Sequence, residues 1–284
     1  MSRFFIYQKS VFLCIEFKVM IWMYYLLILV IIFLLLGFIL FLFQDKFIFI
    51  NGKKLDRDYQ YKFSNKFEEV FIKTDDNNEI NALHFKLPNP KGVVLFCHGN
   101  KGSLTKWGNR ISYFLEYNYE VLVFDYRNYG KSTGDYNEEE MYNDALSTYD
   151  HLKKGFKEEN IVVYGFSLGG AFATKIASKN KPKELILEAP FYHFKKAAQY
   201  KMKFAPTFLL KYKFRTDNDI AKVTTSITIF HGNNDSTTSY KGSKKLLELN
   251  SSTKNKHIEI DGGTHHNIRE FPIYKEKLKE ILER

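Results

Sequence analysis

Ser167, Asp235 and His265 are the residues whose types and order in this chain could do chemistry together. Ser167 sits in Gly165-Phe166-Ser167-Leu168-Gly169-Gly170, directly after the apolar run Asn160 to Tyr164 and before the helix-like stretch Ala171 to Ser178. A strand that turns sharply into a helix around Gly-x-Ser-x-Gly holds the serine hydroxyl clear of the backbone, where it can attack a carbonyl. The glycines two before and two after matter because side chains there would collide as strand and helix approach. A serine hydroxyl is a poor nucleophile at neutral pH. It needs a histidine to take its proton and a carboxylate to orient that histidine and stabilise its charged form.

Among the histidines, His84 and His257 fall within strand patterns and His151 within a helix, which suits packed or solvated roles, while His193 is a weak candidate for the base. His265 and His266 follow the glycine turn Asp261-Gly262-Gly263-Thr264 after the last strand, so one of these two is the expected base. His265 is preferred because it stands directly after the turn. For the acid, Asp235 lies in His231-Gly232-Asn233-Asn234-Asp235, the loop after another strand, and Glu188 is the reserve. Asp125 also ends a strand, but the nearby Arg127 points to a structural ion pair. Charge developing on the substrate oxygen calls for two backbone N–H donors, worth about 3 to 4 kcal/mol each. Leu168 would supply one. Asn100, in His98-Gly99-Asn100-Lys101-Gly102, would supply the other, with His98 as a loop scaffold.

The elements that must position these groups alternate between short β-rich runs and amphipathic ones, the pattern of an α/β domain. Strands are expected at 68–73, 80–87, 92–97, 120–125, 160–164, 184–188, 226–230 and 256–260. Helices are expected at 104–117, 138–153, 167–178, 240–249 and 273–282. Val93-Val94-Leu95-Phe96 and Val121-Leu122-Val123-Phe124 are unbroken apolar runs, as in a mostly parallel sheet covered on both faces. The candidate residues then fall at the carboxyl ends of strands, where such sheets build their sites.

Residues 20–43 carry no charge, and a helix of that length exceeds the roughly 30 Å hydrocarbon core. A secretory signal should have a shorter apolar stretch ending in a small-residue cleavage site, and Phe41-Leu42-Phe43-Gln44-Asp45-Lys46 has none. The expected organisation is an N-terminal flank (1–19), a single transmembrane helix (20–43), a charged linker (44–66) and one catalytic domain (67–284) with a lid near 191–215. Arg3, Lys9 and Lys18 precede the span, and Lys46, Lys53, Lys54 and Arg57 follow it. That balance leans towards a cytoplasmic domain, and more so if translation starts at Met20.

The net charge is +10, yet the basic residues are spread along the chain with no recognised nucleic-acid motif, so nucleic acid is not an expected partner. The two cysteines, Cys14 and Cys97, argue against a disulfide framework or a thiolate metal site, and Cys97 reads as a small buried strand residue. No metal or organic cofactor is expected. The stretch 191–215 interleaves Lys195, Lys196, Lys201, Lys203, Lys211 and Lys213 with aromatic and aliphatic residues. Beside a membrane anchor it could meet anionic headgroups and admit acyl chains; otherwise it is a small helical cap with solvated lysines.

Together, these motifs and Asp125-Tyr126-Arg127-Asn128-Tyr129-Gly130, in this order, resemble the α/β-hydrolase superfamily. More narrowly, they are similar to the single-pass abhydrolase-domain serine hydrolases and their serine aminopeptidase-like relatives. The resemblance covers about residues 67–282. Asn128 stands where relatives commonly have glycine, and His265-His266-Asn267 replaces their usual His-Asn pair. It implies an eight-stranded hydrolase sheet and a membrane-anchored serine hydrolase acting on an ester or thioester, small or lipid-derived. The alternatives are an aminopeptidase-like serine peptidase and an inactive, membrane-tethered interaction module.

Overall fold

In the computed structural model, the backbone is described for residues 2–50 and 54–284. Met1 and Lys53 of the sequence-based scheme lie outside the described residues, as do the side chains of Arg3, Lys9 and Cys14. An eight-stranded sheet organises the remainder: β1 (Glu68–Lys73), β2 (Glu79–Phe85), β3 (Gly92–Cys97), β4 (Tyr119–Phe124), β5 (Ile161–Phe166), β6 (Glu184–Glu188), β7 (Ile227–Gly232) and β8 (Lys256–Ile260). Their spatial order is β1-β2-β4-β3-β5-β6-β7-β8. β2 is antiparallel to β1 and β4, and every pairing from β4 to β8 is parallel. The eight expected strands are present, with ends moved by at most two residues.

The unbroken apolar runs serve two cores. Val93, Leu95, Ile161, Val163 and Leu185 face one side, where α3 (Glu138–Lys153) and α4 (Gly169–Lys179) pack. Val94, Phe96, Val162, Tyr164 and Ile186 face the other, against α2 (Leu104–Arg110) and α8 (Pro272–Glu283). Successive strand residues point to opposite faces, so a strand covered on both must be apolar at every position. Cys97 is fully buried in the first core, where desolvation pushes its thiol well above the ordinary range.

Two helices differ from the sequence reading. The helix expected over 104–117 ends at Arg110 and continues as a 3-10 turn, Ser112–Tyr117, closed by Asn118 at φ 62°. The helix expected from Ser167 begins at Gly169, because Ser167 has φ 52°, a left-handed value no α-helix contains. Between β6 and α7 (Tyr240–Glu248) lie α5 (Phe194–Lys201), a 3-10 turn at Thr207–Leu209 and α6 (Thr216–Ile220).

Ahead of the sheet, α1 runs unbroken from Ser2 to Ile48 and includes the charge-free run. Its stretch Glu16–Ile48 contains an 18-residue segment with a mean hydropathy of 3.5 and is long and apolar enough to cross a membrane. The C-terminal end of α1 is fastened to the domain. Gln44 Nε2 donates to Leu209 O at 3.1 Å, Tyr212 Oη donates to Asp45 Oδ1 at 2.8 Å, and the Phe49 ring stacks on Tyr136. The chain then braces the turn after β3: Ile50 N–H donates to Asn100 O, Gly102 N–H to Ile50 O and Asn100 Nδ2 to Ile48 O, at 3.0, 2.9 and 2.9 Å.

Candidate active site

Ser167 follows the last residue of β5 and hands the chain to α4 through one left-handed residue. An L-residue in that region carries a cost of order 1 kcal/mol, which the surroundings must impose. They do so by close backbone approach. A Cβ built on Gly169 would lie 1.9 Å from Cys97 O, and one on Gly165 would lie 2.6 Å from Gly169 O. Neither position admits a side chain. Ser167 N–H donates to Glu188 O at 2.9 Å, which pins the turn to β6.

Two loops beyond β7 and β8 bring the other groups. Gly232, which ends β7, touches Gly263 so closely that a Cβ would stand 2.1 Å from the Gly263 carbonyl oxygen, and Asn234 N–H donates to that oxygen at 3.0 Å. The Asp235 and His265 loops are thereby held side by side. His265 Nδ1 lies 2.7 Å from Asp235 Oδ2, and His265 Nε2 lies 3.0 Å from Ser167 Oγ. The imidazole therefore bridges hydroxyl and carboxylate. With Nδ1–H donating to the carboxylate, Nε2 is free to accept the serine proton.

Asp235 is fully enclosed. Its Oδ1 accepts the N–H groups of Thr237 and Thr238 at 2.7 and 2.9 Å, its Oδ2 accepts the Thr238 hydroxyl at 2.9 Å, and His231 Nε2 is 3.2 Å away. Burial works against its charge, but the contacts to His231 and His265 and the Thr238 N–H hold this carboxyl well below the usual carboxylate range. The sequence reading used His231 only as part of a motif and did not consider Thr238. Asp-x-x-Thr is the signature of a carboxylate that caps its own turn, and it was available.

Glu188 is equally buried but has a different partner. Arg269 Nε donates to Glu188 Oε2 at 2.7 Å, Tyr164 Oη donates to the same oxygen, and Tyr164, Tyr274 and Tyr113 continue as a hydroxyl chain at 2.8 and 3.1 Å. Burial disfavours the Arg269 charge, yet Glu188 and the phenols keep the guanidinium protonated. Arg269 lies four residues past His265, so this pair ties the histidine loop to β6. The sequence reading missed it.

The other histidines lie elsewhere. His266 is exposed, with its ring against Phe166 and His265, and its carbonyl accepts from Arg110 Nη2. His84 Nε2 is 2.8 Å from Glu120, His193 Nδ1 accepts the Lys196 N–H at the start of α5, and His257 Nε2 is 2.9 Å from Ser243 Oγ. His151 is half-buried on α3. His98 is fully buried, its Nε2 3.3 Å from Asp125 Oδ1, and its carbonyl accepts the Tyr126 hydroxyl. The ion pair expected between Asp125 and Arg127 does not form. Asp125 accepts the Leu104 N–H at the start of α2, while Arg127 turns to Asp76 and Asp144, each at 2.6 Å. Asn128, with φ 62°, adopts the left-handed conformation that asparagine tolerates better than most residues.

Leu168 directly follows Ser167. Asn100 follows the His98–Gly99 turn, its carbonyl accepting the Tyr129 hydroxyl at 2.7 Å. Between α5 and α7 lies a cavity of about 810 Å³ whose lining includes Phe191, Lys196, Tyr200, Ser239 and Lys245. It abuts the acid loop, since the Tyr200 hydroxyl donates to Asp235 O at 2.8 Å.

Residues 88–220 match the family described as serine aminopeptidase, S33. Human alpha/beta hydrolase domain-containing protein 17B is 25% identical over 238 residues, 81% of this chain and 80% of that protein. An uncharacterized protein of Acanthamoeba polyphaga mimivirus, R595, is 29% identical over 223 residues, 70% of this chain and 75% of its own length. The Pyrococcus furiosus esterase Pf2001 superposes with a TM-score of 0.69 at 22% identity, over 83% of this chain and 97% of that one. The family match, these relatives and the shared fold together support a member of the α/β-hydrolase superfamily. Its eight-stranded, mostly parallel sheet is that superfamily's fold, and the family and esterase matches support a hydrolase.

Proposed function

We propose that this hydrolase is a membrane-anchored serine enzyme that cleaves a carboxylic ester or thioester through an acyl-Ser167 intermediate. One observation carries the reading: a single imidazole, His265, stands within hydrogen-bond reach of both Ser167 Oγ and Asp235 Oδ2. In this mechanism His265 Nε2 takes the Ser167 proton as Oγ attacks the acyl carbon, and Asp235 stabilises the imidazolium. The carbonyl oxygen becomes an oxyanion held by the Leu168 and Asn100 N–H groups. Collapse expels the alcohol or thiol, which receives the proton from His265. Water, deprotonated by the same imidazole, then attacks the acyl-serine and releases the acid. Catalytic roles thus fall to Ser167, Asp235 and His265, with Glu188 and His266 outside the relay. The esterase names of structural neighbours such as Pf2001 favour an acyl substrate. The apolar, exposed α1 supports the anchor.

A fluorophosphonate probe tests the nucleophile. Wild-type protein should label and Ser167→Ala should not; equal labelling or equal ester turnover by both removes Ser167 from the mechanism. A peptidase reading draws on the S33 aminopeptidase family description alone. A panel of acyl esters, acyl thioesters and aminoacyl amides at matched leaving groups separates the two, with turnover confined to the amides overturning the esterase assignment.

A further inference from the structure

α1 does not leave the domain alone. Leu209 packs against Gly37, its Cδ1 3.5 Å from where a Cβ would stand, and Gln44 exchanges hydrogen bonds with Leu209 O and Lys211 N–H. The 3-10 turn Thr207–Leu209 therefore lies alongside the helix between Gly37 and Gln44. Gly37 is six residues inside the charge-free run that ends at Phe43. At 1.5 Å per residue that is about 9 Å along the helix, so a bilayer that covers the run also reaches the turn.

The side chains of this stretch suit that position. Beyond α1, the three most exposed large apolar residues of the described chain are Phe204 (87%), Phe208 (77%) and Met202 (60%), all between α5 and α6. Water is a poor solvent for so dense an apolar tip. From Phe194 to Lys213 there are six lysines and no acidic residue. Lys201, Lys203 and Lys211 are exposed beside the tip, and Lys211 Nζ lies over the Phe41 ring at 5.2 Å and 3.6 Å from Asp45. Long basic side chains can cover apolar surface with their stems and reach headgroups with their charge.

We propose that residues 202–210 form a second membrane contact, with Phe204 and Phe208 seated at the headgroup–acyl boundary of the leaflet from which α1 emerges and the lysines against anionic headgroups. The proposal rests on reading α1 as a membrane span. Because α5 leads into this tip and Tyr200 bonds the Asp235 loop, the contact ties the bilayer surface to the wall of the cavity beside the site.

The test uses the full chain in a Cys14→Ser background, Cys97 being buried, reconstituted in phosphatidylcholine vesicles with about one-third phosphatidylserine. Phe204→Cys, Phe208→Cys, Leu34→Cys on α1 and Lys279→Cys on the exposed side of α8 are each labelled with an environment-sensitive fluorophore. Quenching is measured with lipids spin-labelled near the top of the acyl chain for positions 204, 208 and 279 and near its methyl end for positions 34 and 279, on variants that retain wild-type fluorophosphonate labelling. At 204 and 208, fluorescence should fall by about twofold or more, with quenching at 34 and none at 279. Quenching at 34 without quenching at 204 and 208 overturns the second contact and leaves the anchor standing. Absence of quenching at 34 overturns the anchor, and the proposal with it.

Discussion

Asp235 and Glu188 follow or end neighbouring strands of one sheet edge, both carboxylates are sealed from solvent, and both touch a group carried by the loop after β8. Their partners separate them. Asp235 meets an imidazole, whose proton can leave, and it keeps a fan of threonine donors that favours its charge. Glu188 meets a guanidinium, which holds its proton at any physiological pH, together with phenols whose ionisation burial has pushed out of reach. One carboxylate can assist a proton transfer and the other can only fix geometry. Burial at the rim of a sheet does not assign a chemical role; the pKa class of the partner does.

This contrast can be broken at several points. The largest expected effect is on the proposed nucleophile: Ser167→Ala should reduce kcat by about a thousandfold or more with the melting temperature held within a few degrees, read by ester turnover and calorimetry. Asp235→Asn should cost about 10⁴-fold in kcat, because an amide favours the wrong imidazole tautomer, again with modest loss of stability. Glu188→Gln should do the reverse. Leaving the Arg269 guanidinium buried and unpaired should cost about 3 to 5 kcal/mol of stability by denaturant titration, and the Glu188→Gln/Arg269→Met pair should recover much of it. A Glu188→Gln enzyme that melts normally yet has lost turnover would erase the distinction.

A smaller effect sharpens it. Thr238→Val removes one hydroxyl donor from Asp235 and should lower kcat by about tenfold, the equivalent of a single hydrogen bond to a charged group. Smaller still is a pH effect away from the rim. Burial, with help from His231 and Lys244, depresses the His257 pKa to about 4 from the ordinary 6.5. Between those values the unfolded chain binds more protons than the folded one. Stability should therefore fall as pH drops from about 6.5 towards 4 and level off below. Melting at pH 7 and pH 5 should differ by less in His257→Gln than in wild type, on the order of 1 kcal/mol at this partly screened site.

The sheet was legible because strands covered on both faces must be apolar at every position, and few alternatives satisfy Val93 to Phe96 or Val121 to Phe124. Ser167 was legible for a related reason: Gly165 and Gly169 record a backbone approach that admits no other residue. Partner choice was far less visible. Arg127 is two residues from Asp125, yet the two side chains diverge, one to α3 and one to His98. Arg269 finds Glu188 across 81 residues through a contact that no local pattern encodes. Strand ends and glycine turns are written locally, whereas ion pairs are settled by tertiary packing.

The three hydrogen bonds that join Ile48 and Ile50 to the Asn100 turn have a practical corollary. Preparing a water-soluble version by cutting the chain after residue 50 would remove more than grease. It would take away the strap that steadies one of the two proposed donors to the acyl oxygen, so the shortened protein should bind an ester substrate about as before and turn it over more slowly.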